Sequence, residues 1–170
     1  MTWIQTYTGK AFDLLDPNPD DICIEDIAHA LSQLCRYTGH TRFFYSVAQH
    51  SILASFLVED EKNAKAALLH DASEAYLSDI ATPAKQLITQ YYDLEDRIMR
   101  AIAKRFDFEY PLNKDIKNTD ARLLQTERMQ LLGKEPKSWG FTAESYPVTI
   151  VEMHVPFIKD LFLTRMKELT

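Results

Sequence analysis

The sequence predicts an all-α fold, a single-domain helical bundle of about six or more helices, and three observations predict it. Apolar residues recur at intervals of three and four along most of the chain, the period of helices that bury one face. No convincing set of strands competes with that period. Glycine is scarce: Gly9, Gly39, Gly133 and Gly140 are the only four in 170 residues, where average usage is about 7%.

The elements follow in order. Residues 1–22 carry Pro17, Pro19 and four aspartates, which predicts an irregular arm leading to a helix start. Ile24, Ile27, Ala28, Leu31 and Leu34 form the stripe of a first helix that runs toward Gly39. Ser46 is placed as the N-cap of VAQHSILASFLV and Asn63 as that of AKAALLHDASEAYL. Pro83 breaks the chain, after which AKQLITQYYDLEDRIMRAIAKRF sets Leu87, Tyr91, Leu94, Ile98 and Ile102 on one side of a long helix. Another helix is predicted from Asn113 to Leu132. Residues 133–155 read as loop with a short extended piece at VTIVEMHV, and Pro156 opens a last helix with Ile158, Leu161, Phe162 and Met166 facing inward.

At 46% hydrophobic and 26% charged, the 170 residues have the size and composition of one soluble globular domain. A net charge of -6 argues against a protein that wraps polynucleotides, because that task needs a basic face. A small anion needs only a few cations and stays open. No two glycines stand at the spacing of a GxGxxG turn or a Walker-type loop, so phosphate would have to be held by side chains or a metal. Cys23 and Cys35, twelve apart without a CxxC, suggest reduced thiols in a cytoplasmic setting. The opening MTWIQTYTGKAFDLLDP lacks the regions of a signal peptide, and no run of about 18 apolar residues predicts a membrane span.

Chemistry concentrates where polar groups stand in apolar helical surroundings. His50 lies in SVAQHSILASFLV, His70 and Asp71 are adjacent in AALLHDASEAYL, and Asp120 sits beside Ala121, Leu123 and Leu124. An unpartnered carboxylate is expensive to desolvate. Two imidazoles and two carboxylates would share one explanation for that cost, a divalent ion such as Mn²⁺, Co²⁺, Mg²⁺, Zn²⁺ or Fe²⁺. Glu74, four residues after His70 and three after Asp71, would project from the same helical face. A carboxylate there could take a proton from water and return it to a leaving oxygen; Asp79 follows five residues later.

The segments RYTGHTRFFYSVAQHS (Arg36 to Ser51), LLHDASEAYLSDIATPAK (Leu68 to Lys85) and NTDARLL (Asn118 to Leu124) resemble the motifs of HD-domain metal-dependent phosphohydrolases. They are most similar to the compact branch containing bacterial 5'-deoxynucleotidases and phage enzymes that remove triphosphate from deoxyadenosine nucleotides. The resemblance runs over nearly the whole chain. It implies His50, His70, Asp71 and Asp120 as metal ligands and Glu74 and Asp79 as the acids that activate water or protonate the departing 5' oxygen. It further implies Arg36, Lys85 and Lys117 as phosphate or sugar contacts and Tyr37 as an aromatic that could stack on the base.

The activity so implied is hydrolysis of the 5' phosphate ester of a 2'-deoxynucleotide, either dATP to deoxyadenosine and triphosphate or dephosphorylation of dAMP and dADP. The alternatives are a broad 5'-deoxynucleotidase on dNMPs and a non-catalytic nucleotide or metal sensor. The implied partner is a single small deoxynucleotide, with no polynucleotide and no membrane, in a homo-oligomer. The implied location is the cytoplasm, that of the host if a phage encodes the chain.

Overall fold

In the computed structural model, which describes residues 1–140 and 142–170, the protein is predominantly helical. Among the described residues there are eight α-helices and one two-stranded sheet. The N-terminal arm, expected to be irregular, is largely a hairpin. Its strands β1 (Trp3–Gln5) and β2 (Ala11–Asp13) pair antiparallel with Ile4 opposite Phe12. The turn closes through Thr6 N–H to the Lys10 carbonyl, 2.9 Å, and Gly9 supplies a φ of 88° that few other residues adopt. Three-residue strands are too short to show a period in sequence. This hairpin is fixed from outside, by fully buried Phe12 and by Asp26, whose carboxylate accepts Thr8 N–H at 2.6 Å and Thr8 Oγ1 at 2.9 Å.

Helix α1 (Ile24–Gln33) buries Ile27, Ala28 and Leu31 as its stripe requires. It stops earlier than Gly39, and the reason is tertiary: Arg36 N–H bonds to the Tyr45 carbonyl and Val47 N–H to that of Leu34. These bonds pull the chain into a reversal in which Tyr37, Thr38 and Gly39 have φ of 56°, 54° and 79°. Gly39 therefore belongs to that left-handed turn and does not end the helix that precedes Arg36.

Helix α2 (Val47–Leu57) starts as expected, with Ser46 accepting Gln49 N–H at 3.1 Å. It lies at the centre of the molecule against α1, α3, α7 and α8, and eight of its eleven residues are buried. The single helix expected after Asn63 is two: α3 (Ala64–Leu68) and α4 (Glu74–Leu77). Between them Ala72 N–H bonds to Leu69 O and Glu74 N–H to Asp71 O, three residues back rather than four. Asn63 does not cap α3. Its side-chain amide donates to Asp115 at 2.7 Å and its carbonyl accepts from Asn113 at 2.8 Å.

Helix α5 (Thr82–Lys85) carries Pro83 in its only turn, and α6 (Tyr91–Phe106) begins seven residues later than the sequence period suggests, after a turn at 86–90. Leu87 falls in that turn and is 85% exposed, whereas Tyr91, Ile98 and Ile102 are buried. Helix α7 (Lys114–Leu131) fills the expected span with Asn113 just outside it as the cap, and α8 (Val155–Glu168) opens with Pro156 as expected and buries Ile158, Phe162 and Met166. The piece around VTIVEMHV forms no strand. Side chains strap it instead, Gln130 to Val148 and Ile150 and Gln49 to Val151, at 2.7–2.9 Å. No helix among the described residues is long and apolar enough to cross a membrane.

Candidate metal centre

Three parts of the chain, far apart in sequence, meet beside the middle of α2. His50, one turn into that helix and fully buried, presents Nε2 outward from the core. His70 and Asp71 come from the turn between α3 and α4, and Asp120 from the second turn of α7. Their donor atoms converge. His50 Nε2 lies 3.1 Å from His70 Nε2, 3.2 Å from Asp120 Oδ1 and 3.7 Å from Asp71 Oδ2. His70 Nε2 lies 3.3 Å from Asp71 Oδ2 and 3.9 Å from Asp120 Oδ1.

The shorter of those distances are of the size of the edges of a coordination polyhedron. With metal–nitrogen and metal–oxygen bonds near 2.1 Å, adjacent ligands stand about 3.0 Å apart in an octahedron and about 3.4 Å apart in a tetrahedron. The imidazoles fit the same purpose. His70 Nδ1 donates to the Ala67 carbonyl at 2.7 Å, and His50 Nδ1 to Glu127 Oε1 at 2.5 Å. With each Nδ1 assigned as the donor by this bonding, both Nε2 lone pairs face one space. A cation or a shared proton satisfies both. His50, His70 and Asp120 form a group that could hold a metal ion, and Asp71 borders it.

The surrounding carboxylates favour positive charge at this place. Burial opposes a positive charge on His70, yet Asp71 and Asp120 outweigh it and lift the imidazole to about 9. His50 is raised as well, because Glu127 and Asp120 overcome burial and the repulsion of Arg36. Asp120 is held well below the usual carboxylate range, since the bonds from the two imidazoles prevail over desolvation. Its side chain is 44% exposed and that of Asp71 23%. The cluster thus opens to solvent on the carboxylate side.

Glu74, at the start of α4, is 4% exposed. Its Oε1 accepts from Lys85 Nζ at 3.2 Å, while Oε2 has no hydrogen-bond partner among the described residues. Burial and the charges of Asp71 and Asp79 push this carboxyl well above its ordinary range, with Lys85 opposing in part. Asp79 follows the left-handed residue Ser78 and is half-buried. Burial raises it, Arg36 acts against that shift and Asp71 with it.

The expected substrate contacts are placed as follows. Arg36 donates to Asp71 Oδ2 and to Glu127 Oε2, both at 3.2 Å. The Tyr37 hydroxyl donates to Glu127 at 2.7 Å. Lys85 bridges Glu74 and Glu95, the latter at 3.0 Å. Lys117 is exposed and joins none of these bonds. The residue that the sequence reading overlooked is Glu127, fully buried and bound by Arg36, Tyr37, Tyr45 and His50. A signal existed: Glu127 is seven residues, two helical turns, beyond Asp120 on the α7 face that buries Leu123 and Leu131.

No family model matches the chain. It is 38% identical to the uncharacterized protein YfdR of Escherichia coli over 174 aligned residues, covering 100% of this chain and 97% of that one. It is 40% identical to the uncharacterized protein RCAP_rcc00048 of Rhodobacter capsulatus over 144 residues, 77% of this chain and 74% of the relative. With identity of this order sustained over most of both chains, the protein belongs to the family that includes YfdR and RCAP_rcc00048.

Proposed function

We propose that the chain is an HD-type, metal-dependent phosphohydrolase that cleaves the 5' phosphate ester of 2'-deoxynucleotides, with dATP as the favoured substrate. The observation that carries this reading is the convergence of His50 and His70 on each other and on Asp71 and Asp120 at 3.1–3.9 Å, next to a buried acid, Glu74, one of whose oxygens has no partner among the described residues. The order His, His-Asp, Asp along the chain and the motifs around it agree with the same reading.

A divalent ion bound by these four residues would supply Lewis-acid polarisation of a phosphate oxygen and acidify water beside it. The chain's own groups do the rest. His50 and His70, with Nδ1 tied to acceptors, keep their Nε2 atoms as ligands and do not exchange protons with the substrate. Glu74, kept from ionising freely by burial and its acidic neighbours, is suited to move a proton at Oε2, which bonds to no group among the described residues. Hydrolysis adds the oxygen of water to phosphorus, breaks the bond from phosphorus to the 5' oxygen, and delivers one proton to that oxygen. Arg36, at the open carboxylate side, offsets charge that builds on the phosphate. Lys85 holds Glu74 in place.

The test is a panel of dNMPs, dNTPs and rNTPs with Mg²⁺, Mn²⁺ or Co²⁺, read by product chromatography. The expected products are deoxyadenosine with triphosphate from dATP, or deoxynucleoside with phosphate from the monophosphates. No product from any deoxynucleotide with any of the three ions would overturn the reading. Equal turnover of dATP, dGTP, dCTP and dTTP would remove the adenine preference alone.

A further inference from the structure

Glu127 is fully buried, and four donors from three places in the chain converge on it. Oε1 accepts from His50 Nδ1 at 2.5 Å and from the Tyr45 hydroxyl at 2.7 Å. Oε2 accepts from the Tyr37 hydroxyl at 2.7 Å and from Arg36 Nε at 3.2 Å. A buried carboxylate kept only to neutralise Arg36 would need that one partner. Here every side of the carboxylate is occupied, so its position is over-determined by the bonds themselves. The bond to His50 also selects the tautomer that leaves Nε2 an acceptor facing His70, Asp71 and Asp120.

The two residues on Oε2 belong to the turn in which Tyr37 and Thr38 take left-handed φ of 56° and 54°. Non-glycine residues hold that conformation only where the surroundings impose it. Here the Tyr37 hydroxyl bond and the backbone bonds from Arg36 to Tyr45 and from His40 to Tyr37 hold the turn, which sets Arg36 Nη1 3.2 Å from Asp71.

We propose that Glu127 is a positioning residue that orients the metal ligand His50 and the arginine turn together, through one rigid carboxylate. The inference rests on the metal-centre part of the function proposed above and not on the identity of the substrate. Glu127 reaches neither the space between the four ligands nor the open side; it acts through His50 and Arg36.

Co²⁺ is the probe, with uptake by the full chain followed by titration calorimetry and by visible absorption. Glu127→Gln removes the charge and the second acceptor at nearly constant size. It is expected to weaken Co²⁺ binding about 10- to 100-fold and to shift the absorption bands, effects that a loss of stability alone would not produce in folded protein. Glu127→Asp is the second variant, because it keeps a charge beside Arg36 and withdraws the carboxylate from His50. It is expected to change affinity and bands in the same direction even if the amide variant does not fold. Wild-type affinity and spectrum in either folded variant would overturn the proposal. If the wild-type chain binds Co²⁺ but releases no phosphate from deoxynucleotides, while the variants lose affinity, the substrate reading fails and the role of Glu127 stands. A wild-type chain that takes up no Co²⁺ overturns both.

Discussion

The Nζ of Lys85 lies 3.2 Å from one oxygen of Glu74, and the other oxygen of that buried carboxylate has no partner among the described residues. A carboxylate kept only for an ion pair would have both oxygens bonded, since an unmet buried acceptor costs about 1–3 kcal/mol. Under the proposed function, this asymmetry suits Glu74 to proton transfer. Glu74→Gln is expected to lower kcat for deoxynucleotide hydrolysis about 10²- to 10⁴-fold, with Co²⁺ affinity retained because none of the converging donors is touched. Steady-state rates and metal titrations on the same preparation check this. An unchanged kcat with intact metal binding would remove Glu74 from the chemistry.

His50 and His70 stand within 3.9 Å of each other and of carboxylate oxygens of Asp71 and Asp120, an arrangement that an ion between them would stabilise further. Ions that bind the folded chain alone add about 2.7 kcal/mol at a hundred times Kd. For a chain of this size each kcal/mol moves Tm by about 2–4 °C. Saturating Co²⁺ is therefore expected to raise Tm by about 5–10 °C over an EDTA-treated sample. His70→Asn and Asp120→Asn should each abolish most of that rise. Calorimetric scans of the three proteins with metal and with chelator provide the comparison.

The hairpin makes the acid side of stability depend on Asp26. Burial would raise this carboxyl, but bonds from Cys23 and Thr8 outweigh burial and hold it below its ordinary value. A folded-state value under the unfolded one means that the stabilisation is complete above the normal aspartate range, about 3.9. It is lost as pH falls through the lower, folded value. Hydrogen exchange at Thr8 and along β1 and β2 is expected to accelerate in that acid window before the helices respond. Asp26→Ala should loosen the hairpin at neutral pH at a cost of about 1–3 kcal/mol. Protection of these amides that does not change in the variant would show that the hairpin is held elsewhere.

How much of this was legible depended on whether the cause was local. The cap at Ser46 stands beside the helix it starts, and each of the four candidate ligands stands in its own apolar helical stretch, so local chemistry is enough to mark them. The break between α3 and α4 was invisible, because a turn of three-residue bonds keeps the apolar spacing of a helix nearly intact while moving Glu74 to the start of a new one. The late start of α6 was masked in the same way by Leu87, which has the right spacing and lies in the solvent. Glu127 is polar in a polar-looking helix; it is buried by Tyr37 and Tyr45, 90 and 82 residues away. Arg36 and Lys85 could be named as cations near a site, but not the carboxylates that bind them, which come from other elements.

The turn that carries Arg36 offers a test of strain without touching the centre. Thr38 is exposed, makes no side-chain hydrogen bond among the described residues, and is β-branched at a φ of 54°. A left-handed conformation costs an ordinary L-residue about 1–2 kcal/mol, and asparagine much less because its short amide tolerates that region. Thr38→Asn is therefore expected to stabilise the fold by about 1 kcal/mol in urea unfolding. Co²⁺ affinity should stay the same, because Arg36 is placed by its bonds to Glu127 and Asp71 and not by the residue at 38. A destabilised Thr38→Asn variant would mean that the threonine side chain contributes something beyond its backbone, and the strain argument for this turn would then fail.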